Sequence, residues 1–389
     1  MKGMAGDSLD SYPGRAGLQQ RVLPAYRTSL LEGIAASCQG GLCVFAGKAG
    51  PEESIASLGQ LEIARFESAR NFQIVPAASP LYLLWQTNIL RWLSEWDPDV
   101  LILEANARYL SNRAAIRWMH VRGRPVIGWG LGAPEMGGGD LLERLINGIL
   151  ERSRKRFLLS CDALISYSRA GAHEYRMLGF PEDCIFIAPN AVASRPAKPP
   201  VEKPAEFGER PILLFVGRLQ KRKRIDNLLL ACSGFPEKER PEVYIVGDGP
   251  AREEFQQLAN SIYPRAKFFG ELRGPQLSSL FSAADLFVLP GTGGLAVQEA
   301  MAHGLPVVVA AGDGTQNDLV RHGNGWLVPP GNPKRLEQAL KEALADPARL
   351  RQMGAESYRI VREEVNLEAM VSVFVRALSS VGVGREVDR

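Results

Sequence analysis

Between Val216 and His303 the chain sets cations, glycines and a carboxylate at spacings that suit phosphate and sugar chemistry. Gly217-Arg218-Leu219 follows an apolar run, and Lys223 stands five residues beyond Arg218. Arginine offers a bidentate fork and lysine a point charge, a pair fitted to clamp a diphosphate. Gly247-Asp248-Gly249-Pro250 is a tight turn after a second apolar run. Pro290 to Gly294 then breaks a third run with three glycines and a proline, and Leu295 to His303 continues as good helix formers. A glycine-rich turn feeding a helix presents backbone N–H groups at the positive end of a dipole, which is an anion site. Gly293, Gly294 and Leu295 supply those amides. Glu299 lies one turn inside the same helix, where a carboxylate can accept from a ribose or sugar hydroxyl. Each pattern alone is equally compatible with a tight turn that binds nothing.

The elements around these residues follow from alternation. From Ile212 the apolar runs ILLFVG, VYIVG, AKFFG, DLFVL and PVVVA are separated by helical stretches. That pattern specifies a doubly wound α/β domain, whose loops at the carboxyl ends of strands gather on one edge. An earlier alternation has strands over 19–23, 42–46, 72–75, 100–103, 126–130, 163–167 and 185–188. Ser29-Leu30-Leu31-Glu32 fits a capping box for a helix to about Ser37. Further helices are expected over 81–96 and 140–160. Ser194 to Pro211 holds five prolines and reads as a linker. The expected fold is therefore two doubly wound domains facing across a cleft, with 1–193 first, a linker over 194–211 and 212–362 second. A final helix and tail over 363–389 braces the first domain, and 1–18 and the residues past Val381 read as frayed.

In the first domain the loop Ala25 to Thr28 falls at the ligand edge of a strand, so Arg27 is an acceptor-side or phosphate candidate, or else a solvated loop arginine. Glu104 and Asn106, just past the 100–103 strand, are candidates for holding an acceptor hydroxyl. Asp97-Pro98-Asp99 imitates an Asp-x-Asp metal motif but precedes its strand, at the wrong edge, and reads as a turn. Trp85, Trp92 and Trp96 recur at near-helical spacing, which indicates core packing. Residues 105–134 hold five arginines and His120 with no acid, and the 140–160 stretch is amphipathic with a basic end. Such segments meet an anionic membrane or pack on a sheet. A net charge of +3 gives no case for nucleic acid. The five cysteines form no CxxC pair, which favours reduced thiols and an intracellular, soluble protein.

The ordered set Val-Gly-Arg-Leu…Lys, Val-Gly-Asp-Gly-Pro, Phe-Phe-Gly, Ala-Ala-Asp-Leu-Phe-Val-Leu-Pro and Glu-Ala-Met-Ala-x-Gly-x-Pro-Val resembles retaining GT-B glycosyltransferases of family 4 (glycosyl transferases group 1). It is dense over about 210–345 and thins to Pro189-Asn190-Ala191-Val192 in the first domain. The resemblance implies a UDP- or GDP-sugar donor, retained anomeric configuration, and neither metal nor other cofactor. By it, Arg218 and Lys223 hold the diphosphate, and Glu299 the ribose hydroxyls. Gly217, Gly293 and the amides of Gly294 and Leu295 line the phosphates, and the backbone near Leu272 meets the base. The acceptor is a glycan or lipid-linked glycan, met in the cytoplasm or peripherally at an anionic membrane face. The sequence departs from the family in two places. Gly291 stands where a first glutamate is usual, which suggests a gap beside the donor sugar unless Thr292 or Asp313 fills it. Pro24 to Thr28 replaces a glycine pair. The alternative is a GT-B nucleotide-sugar-binding or regulatory protein that has lost turnover.

Overall fold

Strands apolar on both faces must be covered on both, and this chain does so with helices over parallel sheets. The computed structural model describes residues 11–48, 61–73, 82–134, 141–312 and 314–382. They divide into two units, one holding the chain to Asn190 together with the residues from Leu367, the other Ala191–Asn366. The sequence reading set these divisions at 193/194 and 362/363.

The first unit contains β1 (Ala16–Val22), β2 (Leu42–Gly47), β3 (Arg65–Ser68), β4 (Asn71–Gln73) and β5 (Leu84–Gln86). It continues with β6 (Val100–Glu104), β7 (Val126–Gly130), β8 (Ala163–Ser166) and β9 (Ile185–Ile187). Its helices are α1 (Thr28–Ala36), α2 (Ile89–Trp96), α3 (Leu110–Val121), α4 (Leu141–Leu158) and α5 (Arg169–Met177). The parallel sheet runs β3-β2-β1-β6-β7-β8-β9, so strand order reverses between β1 and β6. β4 and β5 form a separate antiparallel pair.

Several local expectations are corrected. Residues 11–18 are not frayed: Tyr12 is buried, its N–H donates to Ser37 O (2.9 Å), and β1 begins at Ala16. Residues 84–86 are strand, and the helix expected from 81 starts only at Ile89. The Gln86 side chain donates to Gln20 O and Asn71 Oδ1 and accepts from Gln19, which fixes this strand. Leu81, Val75 and Asp140 lie outside the described residues. Ser29 sits inside α1 and does not cap it; Glu32 instead accepts from the N–H groups of Glu62, Ile63 and Ala64. Trp92 stacks on Phe45 at 4.8 Å and Trp96 donates to Ala16 O, whereas Trp85 lies on β5 half-exposed. Asp97 and Asp99 are turn residues, pairing with Arg124 and accepting from Arg15 N (2.7 Å). α4 leaves Leu145, Ile146, Ile149 and Leu150 exposed and buries its end at Phe157 and Leu158.

The second unit contains β10 (Ile212–Val216), β11 (Glu242–Val246), β12 (Ala266–Gly270), β13 (Leu286–Leu289), β14 (Val307–Ala310) and β15 (Gly325–Val328). Its helices are α6 (Ile225–Ser233), α7 (Arg252–Ile262), α8 (Gly274–Ala283), α9 (Leu295–Ala302), α10 (Gln316–Leu319), α11 (Pro333–Leu344) and α12 (Pro347–Glu363). The sheet order is β12-β11-β10-β13-β14-β15, reversing between β10 and β13. β10, β13 and β14 are almost wholly buried, which is why they read as unbroken apolar runs.

After Asn366 the chain returns to the first unit as α13 (Leu367–Gly382). Pro347–Gly382 contains an 18-residue window apolar enough to cross a membrane by composition alone, yet 56% of that window is buried. Phe374 meets Trp129 edge-on at 4.9 Å, and α13 lies so close to α1 that a side chain at Gly33 would strike Val371.

Candidate active site

The loops after β10, β11 and β13 are joined by their own hydrogen bonds. Gly217 N donates to Val246 O (3.0 Å), Leu219 N to Asp248 O (2.9 Å) and Ala251 N to Leu219 O (3.0 Å). A 3-10 turn over Lys221–Lys223 then packs on the 290–294 loop: Thr292 N donates to Arg222 O (3.1 Å), and Lys223 Nζ to Thr292 O (2.7 Å). Arg222 reaches Thr292 Oγ1 at 3.3 Å. Arg224 ends the turn in the left-handed region (φ 53°), a conformation that costs a non-glycine residue about 1–3 kcal/mol. Its guanidinium is held by Asp226 and Asn227, both at 2.9 Å, so the side chain offsets what the backbone gives up. The three loops that alternation placed on one edge do meet there, at the switch between β10 and β13.

Within this cluster Lys223 is half-buried, and desolvation together with the Arg222 charge lowers its ammonium to about 8. Gly293 (φ 137°) lies against Lys223 Nζ, so a side chain there would displace the ammonium. Gly294 caps α9, whose first-turn N–H groups have no intrahelical acceptor. Burial pushes the Glu299 carboxyl up, with the nearby His303 opposing. His303 Nδ1 donates to Glu299 O (2.9 Å), its Nε2 meets Ser278 Oγ (3.0 Å), and its ring stacks on Phe281. Arg218 is exposed on its loop, and Leu272, just past β12, packs against the core.

In the first unit, Arg27 and Glu104 come to the two sides of the β1/β6 switch. The solvated-loop reading of Arg27 is overturned. The residue is 5% exposed, and its Cζ lies 4.7 Å from the Trp129 ring, 5.1 Å from Tyr167 and 5.3 Å from Tyr26. Burial raises the Glu104 carboxyl, with Arg21, Tyr109 and Arg27 opposing. Asn106 Oδ1 accepts from Arg108 N (3.1 Å), which closes the turn after β6. The 105–134 basic stretch is largely engaged, Arg113 with Ser153, Arg124 with Asp97 and Arg122 over Trp118. Among the described residues no group of three or more His, Cys, Asp or Glu side chains could hold a metal ion.

Residues 200–360 match the family model for glycosyl transferases group 1. This segment belongs to that family. The chain is 33% identical over 140 residues to an uncharacterized glycosyltransferase of Methanocaldococcus jannaschii, covering 35% of this chain and 36% of that protein. It is 40% identical over 114 residues to a GDP-mannose-dependent alpha-mannosyltransferase of Mycolicibacterium smegmatis, covering 28% of each. The alignments thus span about a third of the length of these curated relatives. Anabaena HepE in complex with UDP superposes with a TM-score of 0.66 at 17% identity, over 94% of this chain and 99% of that one. That likeness is one of fold, the GT-B fold with two parallel sheets.

In the group 1 domain the expectation of a gap at Gly291 is overturned. A Cβ there would collide with Arg222 O and lie 2.5 and 2.6 Å from Lys223 C and O. The main chain of the Lys221–Lys223 turn occupies the space, and Thr292 is spent on clasping it; Asp313 lies outside the described residues. Sequence reasoning missed Gln298, whose buried amide accepts from Val192 N (2.7 Å) and Ala193 N (3.0 Å) and donates to Val365 O (2.7 Å). A glutamine on the buried side of α9 was the available signal. In the first unit it missed the aromatic box.

Proposed function

We propose that the protein is a metal-independent, retaining glycosyltransferase that moves a sugar from a UDP- or GDP-sugar to a hydroxyl of a glycan or lipid-linked glycan. The observation that carries this reading is the clasp that sets the Lys223 ammonium beside Gly293, at the N-terminus of α9, with Glu299 one turn further on. A diphosphate on those amides and that cation is stabilised most when it departs and its charge grows. The bond from the anomeric carbon to phosphate breaks while the acceptor oxygen bonds to the same face. The departing phosphate takes the acceptor proton, and Arg218 and Lys223 balance its charge. Glu299 accepts from the ribose hydroxyls, and the backbone near Leu272 meets the base. A relative that depends on GDP-mannose and a fold neighbour that binds UDP support a nucleotide-sugar donor. The intact set Lys223, Gly294 and Glu299 weighs against an inactive binding protein. The exposed Leu145, Ile146 and Ile149 of α4, beside Arg152, Lys155 and Arg156, support peripheral attachment at the cytoplasmic face of an anionic membrane.

Thermal shift against UDP, GDP and their sugars tests the donor, since a ligand selective for the native state raises the transition. One nucleotide series should raise it, and slow hydrolysis of the matching sugar without acceptor should follow. Failure of both series to shift it sinks the reading.

A further inference from the structure

We propose that Arg27 and Glu104 hold one neutral hydroxyl of the acceptor at the β1/β6 switch, so that the acceptor presents an uncharged polyol here and not a phosphate. Calling this ligand the acceptor rests on the glycosyltransferase reading above. The Arg27 guanidinium is enclosed by Tyr26, Trp129 and Tyr167, whose ring faces replace only part of the solvation it has lost. Its Nη1 has no hydrogen-bond partner. Across the switch, the Glu104 carboxylate is served by Arg21 and Tyr109, yet its Oε2 has none. The buried indole Nε1 of Trp129 is likewise unpartnered.

Buried polar atoms without partners are rare, and these three stand at the ends of β1, β6 and β7, where open α/β sheets bind ligands. The set is two donors and one acceptor. A hydroxyl accepts and donates at once, so a single one answers both Arg27 and Glu104. An ionised phosphate offers acceptors only. It would answer Arg27 but would set a second negative charge near a buried carboxylate, which like charges resist. Tyr26, which covers the guanidinium on one side, is itself half-exposed.

The test titrates the full chain with methyl α-D-mannopyranoside, methyl α-D-glucopyranoside and glycerol. Each is matched against mannose 6-phosphate, glucose 6-phosphate or glycerol 3-phosphate, with binding read by calorimetry or ligand-observed NMR. At least one neutral probe should bind saturably, and its phosphate at least about tenfold more weakly. Arg27→Lys should weaken the neutral probe by roughly tenfold or more, and Glu104→Gln should shrink the discrimination against the phosphate. Nucleotide-induced thermal shift, measured on each variant, confirms that it is folded. The proposal is overturned if no neutral probe binds, if the phosphates bind more tightly to the unaltered protein, or if both variants match it. Loss of UDP and GDP binding in the unaltered protein would instead strike the glycosyltransferase reading and leave the sugar preference measurable.

Discussion

At the scale of single residues, Lys223 has the clearest consequence. Its ammonium titrates near 8 in the folded protein against 10.5 for an ordinary lysine. Below 8 it is protonated in both folded and unfolded chains. Between 8 and 10.5 the unfolded chain binds more protons, so this group makes stability rise with pH across that window. Lys223→Met should reduce the rise, to which the similarly desolvated Lys203 also contributes, as followed by urea titration at several pH values. A diphosphate needs the charged form, so nucleotide affinity should fall above pH 8 by up to about tenfold per unit, with proton uptake visible by calorimetry in two buffers. Lys223→Ala should also cost at least about a hundredfold in turnover; a near-normal rate would remove it from the chemistry. Gly291→Glu makes the opposite test of the filled loop. It must displace the Arg222–Lys223 main chain, at about 1–3 kcal/mol, and weaken nucleotide binding. A variant that is stable and better with plain hexose donors would restore the gap. Arg27 shows what a sequence hides at this scale. Two of its three aromatic partners, Trp129 and Tyr167, lie over a hundred positions away, so no local pattern distinguishes it from a solvated loop arginine.

At the scale of elements, α9 is held as much from behind as in front. Gln298→Leu keeps the volume but leaves Val192 N, Ala193 N and Val365 O unpaired, so it should destabilise the second unit by about 2–4 kcal/mol. Calorimetry would read this, and an unchanged transition would show that water replaces the amide. α4 carries the membrane prediction: the protein should pellet with anionic vesicles at low salt and be released as salt rises. Ile146→Asp with Ile149→Asp should abolish pelleting, and absence of pelleting in the unaltered protein leaves a solvated face. The central strands of both sheets were legible because burial on two faces writes continuous apolar runs. The partly exposed edge strands β3 and β15 were not read, and neither was β5. Its Leu84-Trp85-Gln86 merges into the apolar spacing of α2, and only the pairing with β4 and the Gln19–Gln86 bond separate the two.

For the molecule as a whole, two units with separate cores should unfold in two calorimetric steps. UDP or GDP at a hundred times its dissociation constant should stabilise only the step belonging to the second unit, by about 2.7 kcal/mol. A single step moved as one body would contradict this. The loops at strand ends were readable from alternation alone, whereas the return of α13 to the first unit was legible only as a helix left over after the second alternation closed. That return imposes an order on biosynthesis. The second unit lies wholly between two parts of the first, so every residue of its core has left the ribosome before Phe374, Val375 and Leu378 arrive to close the first. At about 5–20 residues per second, the wait between Asn190 and Gly382 is roughly 10 to 40 s. Throughout it the nascent first sheet holds Trp129 without its lid, and a chain that stalls before Leu367 is a substrate for chaperones and proteases however well its second half has folded.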